Sequence, residues 1–433
     1  MNRITKNASW LIASKIAQML LGLVISMMSA RYLGPANYGI INYAVSVMTF
    51  VSPFVTLGLN STVVQELLSD PDNEGQILGT MLLTCTVTAI GGMAAAVAFA
   101  LVFNAGQTET ITVVALYSVI LITQAWEMLQ YWFQAKLLSK YYAAVSLISY
   151  VIVSAYKIYL LATQKSVYWF AVSYALDYLL IAVLLLFCYR KEHGQPLSFS
   201  FARLKTMFAK SRYYIISALM VTFCAQTDKI MINAMIDDAA TGYYSAAAVC
   251  AGLASFVFSA VTDSFRPVIL QYKQEGQAVF ENSVKKLYSL VIYMSLAVSL
   301  GTTVLAKPLI YLTYGAGYAP AIPMLRIAVW YTCFSYLGIV RNIWILAEGK
   351  QRYLWIVNLM GAVTNIVLNA LLIPVMGGCG AALASVVTQF MMNVGSGFFI
   401  RPIRYNNRLM AQSLDPRLLA EMVKQLMKKE KTA

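Results

Sequence analysis

One pattern recurs along this chain and dominates everything else: an apolar stretch of about 20 residues or a little more, then a short polar connection, then another such stretch. Twelve can be placed, at 9–33, 38–62, 77–103, 110–136, 142–162, 168–190, 211–235, 241–266, 286–306, 321–347, 354–374 and 379–400. About 20 apolar residues is the length a helix needs to cross the hydrocarbon of a bilayer. A helix is also the form in which such a segment satisfies its own backbone donors and acceptors away from water. The pattern therefore predicts an all-α integral membrane protein with twelve transmembrane helices. Composition agrees, because 12% of the residues are charged, against about 25% in soluble domains. The mean hydropathy is +0.67. The first span contains Lys15 and lacks a small-residue cleavage site followed by a polar region, so it reads as a retained helix and not a signal peptide.

Lysine and arginine give the orientation, since cytoplasmic loops keep the positive excess. With the N-terminus inside, 24 of the 32 Lys and Arg residues fall on cytoplasmic loops and flanks, and only Arg31, Lys165 and Lys307 fall on the opposite side. Both termini are then expected to be cytoplasmic, in a multi-pass membrane protein. The net charge of +14 reads as topology and attraction to anionic lipid heads, not as nucleic-acid binding. Residues 411–430 carry Leu418, Leu419, Met422, Val423, Leu426 and Met427 on one side, opposite Arg417, Lys424, Lys428 and Lys429. This pattern predicts an interfacial amphipathic helix.

Six cysteines without CxxC or regular spacing, and a single His193 in a polar loop, indicate neither a disulfide frame nor a metal site. No catalytic constellation is visible and no cofactor is implied, so an enzyme is not expected.

The polar segment 190–212 divides the spans evenly, and the halves echo each other. A displacement of 203 lays Gly39 on Gly242 and Ala44 on Ala247. A displacement of 212 lays Trp132 on Trp344, Ala135 on Ala347 and Tyr141 on Tyr353. Halves with an even number of spans would be parallel repeats about an axis along the membrane normal, as in many transporters with a site between repeats. The expected organisation is a lobe at 1–190, a linker at 191–212, a second lobe at 213–400 and a basic tail at 401–433.

Nine charged residues lie inside the predicted spans: Lys15, Glu127, Lys157, Asp177, Asp228, Lys229, Asp263, Arg326 and Arg341. A charge at mid-bilayer costs about 2.5–3.5 kcal/mol on insertion scales. Snorkelling suits Lys15, Lys157 and Asp263, which lie near span ends. The other six are expected to line a polar cavity or to pair between helices. Asp228 and Lys229 are adjacent, so they point about 100° apart on a helix and each must find another partner. Tyr43, Tyr243 and Tyr244 sit at span starts, where an interfacial aromatic belt is the ordinary role and sugar stacking the alternative.

Four segments together resemble the polysaccharide transporter family: "ARYLGPANYGIINYAVSV" near the N-terminus, "TDKIMINAMIDDAATGYYSAAAV" opening the second half, "KPLIYLTYGAGYAPAIPMLRI" and "NIVLNALLIPVMGGCGAALAS". That family comprises Wzx-type flippases within the multidrug/oligosaccharidyl-lipid/polysaccharide (MOP) exporter superfamily. The resemblance implies two six-helix lobes in a V, as in MATE transporters, with the first, second, seventh and eighth helices bordering a cationic cavity. It implies translocation of undecaprenyl-diphosphate-linked oligosaccharide repeat units, for O-antigen, capsule or another surface polysaccharide, by alternating access.

Cations in a low-dielectric cleft can replace the hydration of a diphosphate, which makes Lys15 and Lys229, then Arg326 and Arg341, the candidate ligands. Asp228, Asp177 and Glu127 would couple a proton or sodium gradient or orient a lysine, and Tyr43, Tyr243 and Tyr244 would contact glycan. Membrane lipids, a polysaccharide polymerase and assembly proteins are the implied partners. A MATE-like drug or metabolite antiporter and a peptidoglycan lipid-precursor flippase are the alternatives on the same fold.

Overall fold

The computed structural model describes residues 3–422, with side chains from Lys15 onward except those of Ser217 and Ala260. It is helical throughout, with no strand among the described residues. In chain order the helices are α1 (Arg3–Thr56), α2 (Val63–Ser69), α3 (Glu74–Phe103), α4 (Thr108–Ser118), α5 (Ile120–Glu127), α6 (Gln130–Ala135), α7 (Ser139–Ala162), α8 (Val167–Lys191), α9 (Phe201–Met235), α10 (Asp238–Gly252), α11 (Ser255–Glu275), α12 (Gln277–Thr313), α13 (Ala321–Ala328), α14 (Tyr331–Ala347), α15 (Leu354–Met376), α16 (Gly378–Phe390), α17 (Ser396–Phe399) and α18 (Arg404–Gln412). A π-helical turn, Met391–Gly395, joins α16 to α17.

Eleven stretches among the described residues are long and apolar enough to cross a membrane. The first, Lys15–Thr56, has 42 residues, or roughly 60 Å of helix at 1.5 Å per residue, about twice the hydrocarbon thickness. It contains two crossings. The break between them is Gly34 (φ 73, ψ 173) followed by Pro35. Only glycine reaches that backbone conformation readily, and proline then restarts a helix, its missing N–H costing nothing in a first turn. The sequence predicts a loop here; the structure turns the corner within one residue. With this division the crossings number twelve, and the all-α membrane architecture expected from the sequence is the one found.

The chain forms two compact units, Met1–Gly242 and Tyr243–Ala433. Among the described residues, unit 1 holds two apolar cores. One gathers Tyr43, Val47, Leu121 and Phe170; the other gathers Leu78, Met81, Leu129 and Phe133. Unit 2 is centred on Tyr288, Val340, Trp344 and Val357.

Each unit contains the same turn. In unit 1 the chain leaves α6 through Leu137 (φ 56), and the Leu138 N–H donates to the Phe133 carbonyl at 2.7 Å. In unit 2 it leaves α14 through Gly349 (φ 65), and the Lys350 N–H donates to the Ile345 carbonyl at 2.9 Å. The displacement is the 212 residues that align Trp132 with Trp344, and both indoles are buried.

The segment between α8 and α9, together with the first turns of α9, is fastened onto the neighbouring turn of unit 1. Arg203 pairs with Asp70 at 2.7 Å and Lys210 with Glu66 at 2.5 Å. The Ser198 N–H donates to the Gly75 carbonyl at 3.2 Å and the Ser200 N–H to Thr80 Oγ1 at 3.0 Å. Glu74 takes Lys136 at 2.7 Å. The end of unit 1 that carries these pairs is its basic end. In the tail, residues 416–422 are helical, Met422 is buried and Glu421 meets Lys286 at 3.2 Å. The rest of the expected amphipathic helix, from Val423 on, lies outside the described residues.

Candidate functional site

The chemistry buried in unit 1 is concentrated along the span formed by α4 to α6 and the two helices that follow it. α5 ends at Glu127, whose carboxylate accepts a hydrogen bond from the Tyr142 hydroxyl of α7 at 2.9 Å. One further turn of packing brings in Asp177 of α8, which accepts from Ser149 Oγ at 2.6 Å. Lys157 of α7 stands 3.7 Å over the Tyr174 ring, a cation–π contact that supports a desolvated ammonium. Lys157 is within electrostatic reach of Asp177. Lys15, exposed on α1, and Asp177 are both within electrostatic reach of Glu127. Of the predicted site residues, the structure thus brings together Lys15, Glu127 and Asp177 and adds Lys157. Buried carboxylates are retained where they meet hydrogen-bond donors, and Glu127 and Asp177 each do so.

Glu127 also lines a cavity of about 260 Å³ toward the basic end of unit 1. Its wall is mostly neutral and polar: Thr49, Ser52 and Thr56 from α1, Asn60 and Ser61 beyond it, Gln124 and Gln130, and Tyr131 and Tyr214. A second cavity, of about 560 Å³, lies between α1, α3 and α9 and is almost wholly apolar, with Phe50, Phe54, Phe99 and Phe223 among its walls. Neither Asp228 nor Lys229 lines either cavity. On α9, Phe223, Thr227 and Ile230 share the face turned to the apolar one, and the 100° step per residue turns Asp228 and Lys229 away from it. Asp228 is buried and Lys229 half-buried.

The two arginines belong to unit 2. Arg326 is exposed on α13. Arg341 is 3% exposed; its guanidinium donates to the Met392 carbonyl in the π-helical turn and to Asn342 Oδ1 at 3.1 Å, with no carboxylate of the described residues within ion-pair distance. A π-turn leaves carbonyls without their usual i+4 partners, and Arg341 supplies a charged donor to one of them.

The tyrosines are more engaged than a belt requires. Tyr43 is fully buried and donates to Asn104 Oδ1 at 2.7 Å. Tyr244 is buried, with its hydroxyl 3.2 Å from Ser385 Oγ. Tyr243, half-buried, meets the Tyr318 ring edge-on at 6.0 Å between centroids.

Tyr43 opens a polar clasp, at the end of unit 1 away from the basic end, that sequence reasoning missed. Asn104 Nδ2 donates to Asn233 Oδ1 at 3.0 Å, Asn233 Nδ2 donates to Asp238 Oδ1 at 2.7 Å, and Thr110 Oγ1 donates to Asp238 Oδ2 at 3.2 Å. Four helices meet in this chain. Beside it, α1 and the start of α10 touch backbone to backbone. A Cβ on Gly39 would stand 1.7 Å from the Asp238 carbonyl oxygen, and one on Gly242 would stand 2.0 Å from the Pro35 carbonyl oxygen. The asparagines and Asp238 lie at span ends, where polar residues are ordinary, so only their mutual placement reveals the clasp. Gly39 and Gly242 carried a signal as repeat partners, but not as each other's contact.

Comparison with known proteins places this architecture. Residues 4–273 match the family model described as "Polysaccharide biosynthesis protein". A Staphylococcus aureus protein, "Capsular polysaccharide biosynthesis protein CapF", is 22% identical over 410 residues, covering 92% of this chain and 100% of that one. Among solved structures, the lipid II flippase MurJ in an inward closed conformation superposes with a TM-score of 0.72 at 13% identity, covering 96% of this chain and 92% of its own. An inward-facing multidrug resistance MATE family transporter of the MOP superfamily does so with a TM-score of 0.65 at 12% identity, covering 91% and 96%. At such identities the structural likeness speaks for the fold. The family match runs from the first crossing through the clasp and both cavities, and on it the chain belongs to the polysaccharide biosynthesis protein family, as a multi-pass membrane protein with the fold shared by MurJ and MATE transporters.

Proposed function

We propose that the protein is a flippase that carries undecaprenyl-diphosphate-linked oligosaccharide units from the cytoplasmic to the outer leaflet of the bacterial inner membrane by alternating access. The carrying observation is the polar cavity beside Glu127, set inside membrane-crossing helices of a chain of this family. Amides, hydroxyls and one carboxylate are the groups that exchange hydrogen bonds with sugar hydroxyls, and a site built of them suits a glycan better than an apolar drug. A carboxylate repels a diphosphate, so that group needs cations elsewhere. Lys15 and Lys229 are the proposed ligands, both in unit 1. Arg326 is a further candidate, while Arg341 is bonded to Met392.

Glu127 and Asp177, with Asp228, are the proposed ion-coupling or lysine-orienting groups. The tyrosines Tyr43, Tyr243 and Tyr244 are secondary candidates for glycan contact, because two of them are buried with engaged hydroxyls.

The test is translocation of a fluorescent lipid-diphosphate oligosaccharide in proteoliposomes. Lys229→Ala should slow it more than Lys307→Ala; equal rates would remove Lys229 from the mechanism. The likeness to MurJ favours a second reading, a peptidoglycan lipid-precursor flippase. Lipid II as competitor separates the two: strong inhibition of translocation supports the second.

A further inference from the structure

Past the membrane-crossing stretch Gly378–Phe399, the chain turns through Ile400 and a single 3₁₀ turn, Arg401–Ile403, into α18. One face of α18 is fixed to unit 2. Leu409 and Met410, with Ile403 before them, are buried in the core around Tyr288. Asn406 Oδ1 accepts from the Tyr288 hydroxyl at 3.0 Å, and Asn407 Nδ2 donates to the Val394 carbonyl at 2.8 Å. Gly397 makes that seat possible, because a Cβ there would stand 2.2 Å from Asn407 Oδ1. The opposite face carries Arg401, Arg404 and Arg408, all exposed. Residues four apart on a helix stack on one face, and residues three apart across a 3₁₀ turn eclipse, so the three guanidiniums form a row. Among the described residues none of them is in an ion pair. The carboxylate bonded to α18, Glu281, instead accepts from the Tyr405 hydroxyl at 2.8 Å and from Gln277 Nε2 at 2.7 Å. Arg404 donates to the Phe398 carbonyl at 3.1 Å, which ties the row to the end of the crossing. There Phe398 and Phe399 are 62% and 69% exposed.

We propose that this face is a binding site for an anionic phospholipid, with the arginines about its phosphate and Phe398 and Phe399 against its acyl chains. Position and charge commit the occupant. The crossing ends at Phe399, so the side chains that follow stand at the depth of the head groups of that leaflet, and the two phenylalanines before them face hydrocarbon. Guanidinium forks match phosphate oxygens in paired hydrogen bonds, and three cations without an acidic partner complement a negative head group. The buried asparagine contacts hold α18 in one orientation, so the row is set before a lipid arrives. A soluble anion would leave the exposed phenylalanines unused, whereas a phospholipid engages both parts of the surface at once. The bound head group fastens the end of this crossing to its leaflet. The site is distinct from the cargo pathway and stands under either flippase reading.

The experiment uses the full chain in phosphatidylcholine nanodiscs containing a minor fraction of phosphatidylglycerol with a diazirine next to its glycerol backbone. Photolysis and peptide mapping should place adducts on residues 396–412. Replacing Arg401, Arg404 and Arg408 together by Gln should cut that labelling roughly a hundredfold, at about fivefold for each cation near the surface. Lys205→Gln with Arg212→Gln, two exposed cations of α9, should leave it unchanged. Equal labelling of unmutated protein by the matching phosphatidylcholine probe overturns the proposal without reference to any variant, since the occupant is then any boundary lipid. Adducts confined to other segments overturn it as well. Labelling abolished by inorganic phosphate, but not by sodium chloride at the same ionic strength, overturns it in favour of a free anion. Absent labelling together with dimers that the triple variant converts to monomers overturns it in favour of an interface between copies of the chain.

Discussion

Gly39→Ala tests how the end of unit 1 that bears the clasp is held shut. The added Cβ would lie 1.7 Å from the Asp238 carbonyl oxygen, 2.7 Å from its carbon and 2.8 Å from the Gly242 nitrogen. All three are backbone atoms, so no rotamer change relieves the clash. Restoring an ordinary contact requires α1 and the start of α10 to part by well over 1 Å. Overpacking of this kind costs about 1–3 kcal/mol.

The movement also pulls Asp238 away from Asn233 and Thr110, now at 2.7 and 3.2 Å. Hydrogen bonds to a charged group contribute about 1.5–3 kcal/mol each, and partial loss adds about 1 kcal/mol. A shift of about 2–4 kcal/mol against the closed arrangement changes its population ratio by roughly 30- to 1,000-fold, at 1.4 kcal/mol per factor of ten. The readout is the reaction rate of a membrane-impermeant maleimide with Ala44→Cys, a fully buried position one turn beyond the contact, in a background with the native cysteines replaced. Gly39→Ala should raise that rate at least tenfold, and Gly242→Ala, whose Cβ would stand 2.0 Å from the Pro35 oxygen, should match it. The double variant should do little more than either, since both open one gap. Unchanged labelling and melting in Gly39→Ala would refute the close approach itself.

Three further outcomes follow from individual contacts. The Asp70 carboxyl is held below the usual carboxylate range by its hydrogen bond from Arg203 and then by the Asn73 amide. A depressed folded value stabilises above the unfolded pKa of about 3.9 and ceases to as pH falls through the folded value. Hydrogen-exchange protection of residues 195–210 should therefore hold from pH 7 to about 4 and fall below that; loss between pH 7 and 5 would assign the latch to another group. Arg341→Met should lower the melting temperature, because it strips the Met392 carbonyl of a charged donor, at about 1–3 kcal/mol. A variant that melts like the parent but flips no substrate would instead assign Arg341 to transport. Glu127→Gln keeps an acceptor for the Tyr142 hydroxyl but cannot take up a proton or cation. If transport is ion-coupled through Glu127 as proposed, downhill translocation should persist while stimulation by an ion gradient disappears; stimulation at the original level would exclude Glu127 from coupling.

Hydropathy made the crossings readable because each needs only a long apolar run, whatever its neighbours. It failed at residues 34–37, where a loop was expected, because one glycine at φ 73 does the work of a loop and no periodicity announces it. Charges were readable as anomalies, so Lys15, Glu127 and Asp177 could be named as a group of exceptions, but their partners could not. Tyr142 and Tyr174 pass as apolar in a hydropathy window, although one hydroxyl holds Glu127 and one ring holds Lys157.

The repeat was readable, yet its meaning at Gly39 was not. Gly39 rests on the carbonyl of Asp238 and Gly242 on that of Pro35; both the glycines and the carbonyls they touch are related by the same displacement of 203. Such reciprocity means that each of the two segments presents its glycine to the backbone of the other. A substitution at either position therefore damages one contact to which both segments contribute, which is why single and double variants are expected to differ so little.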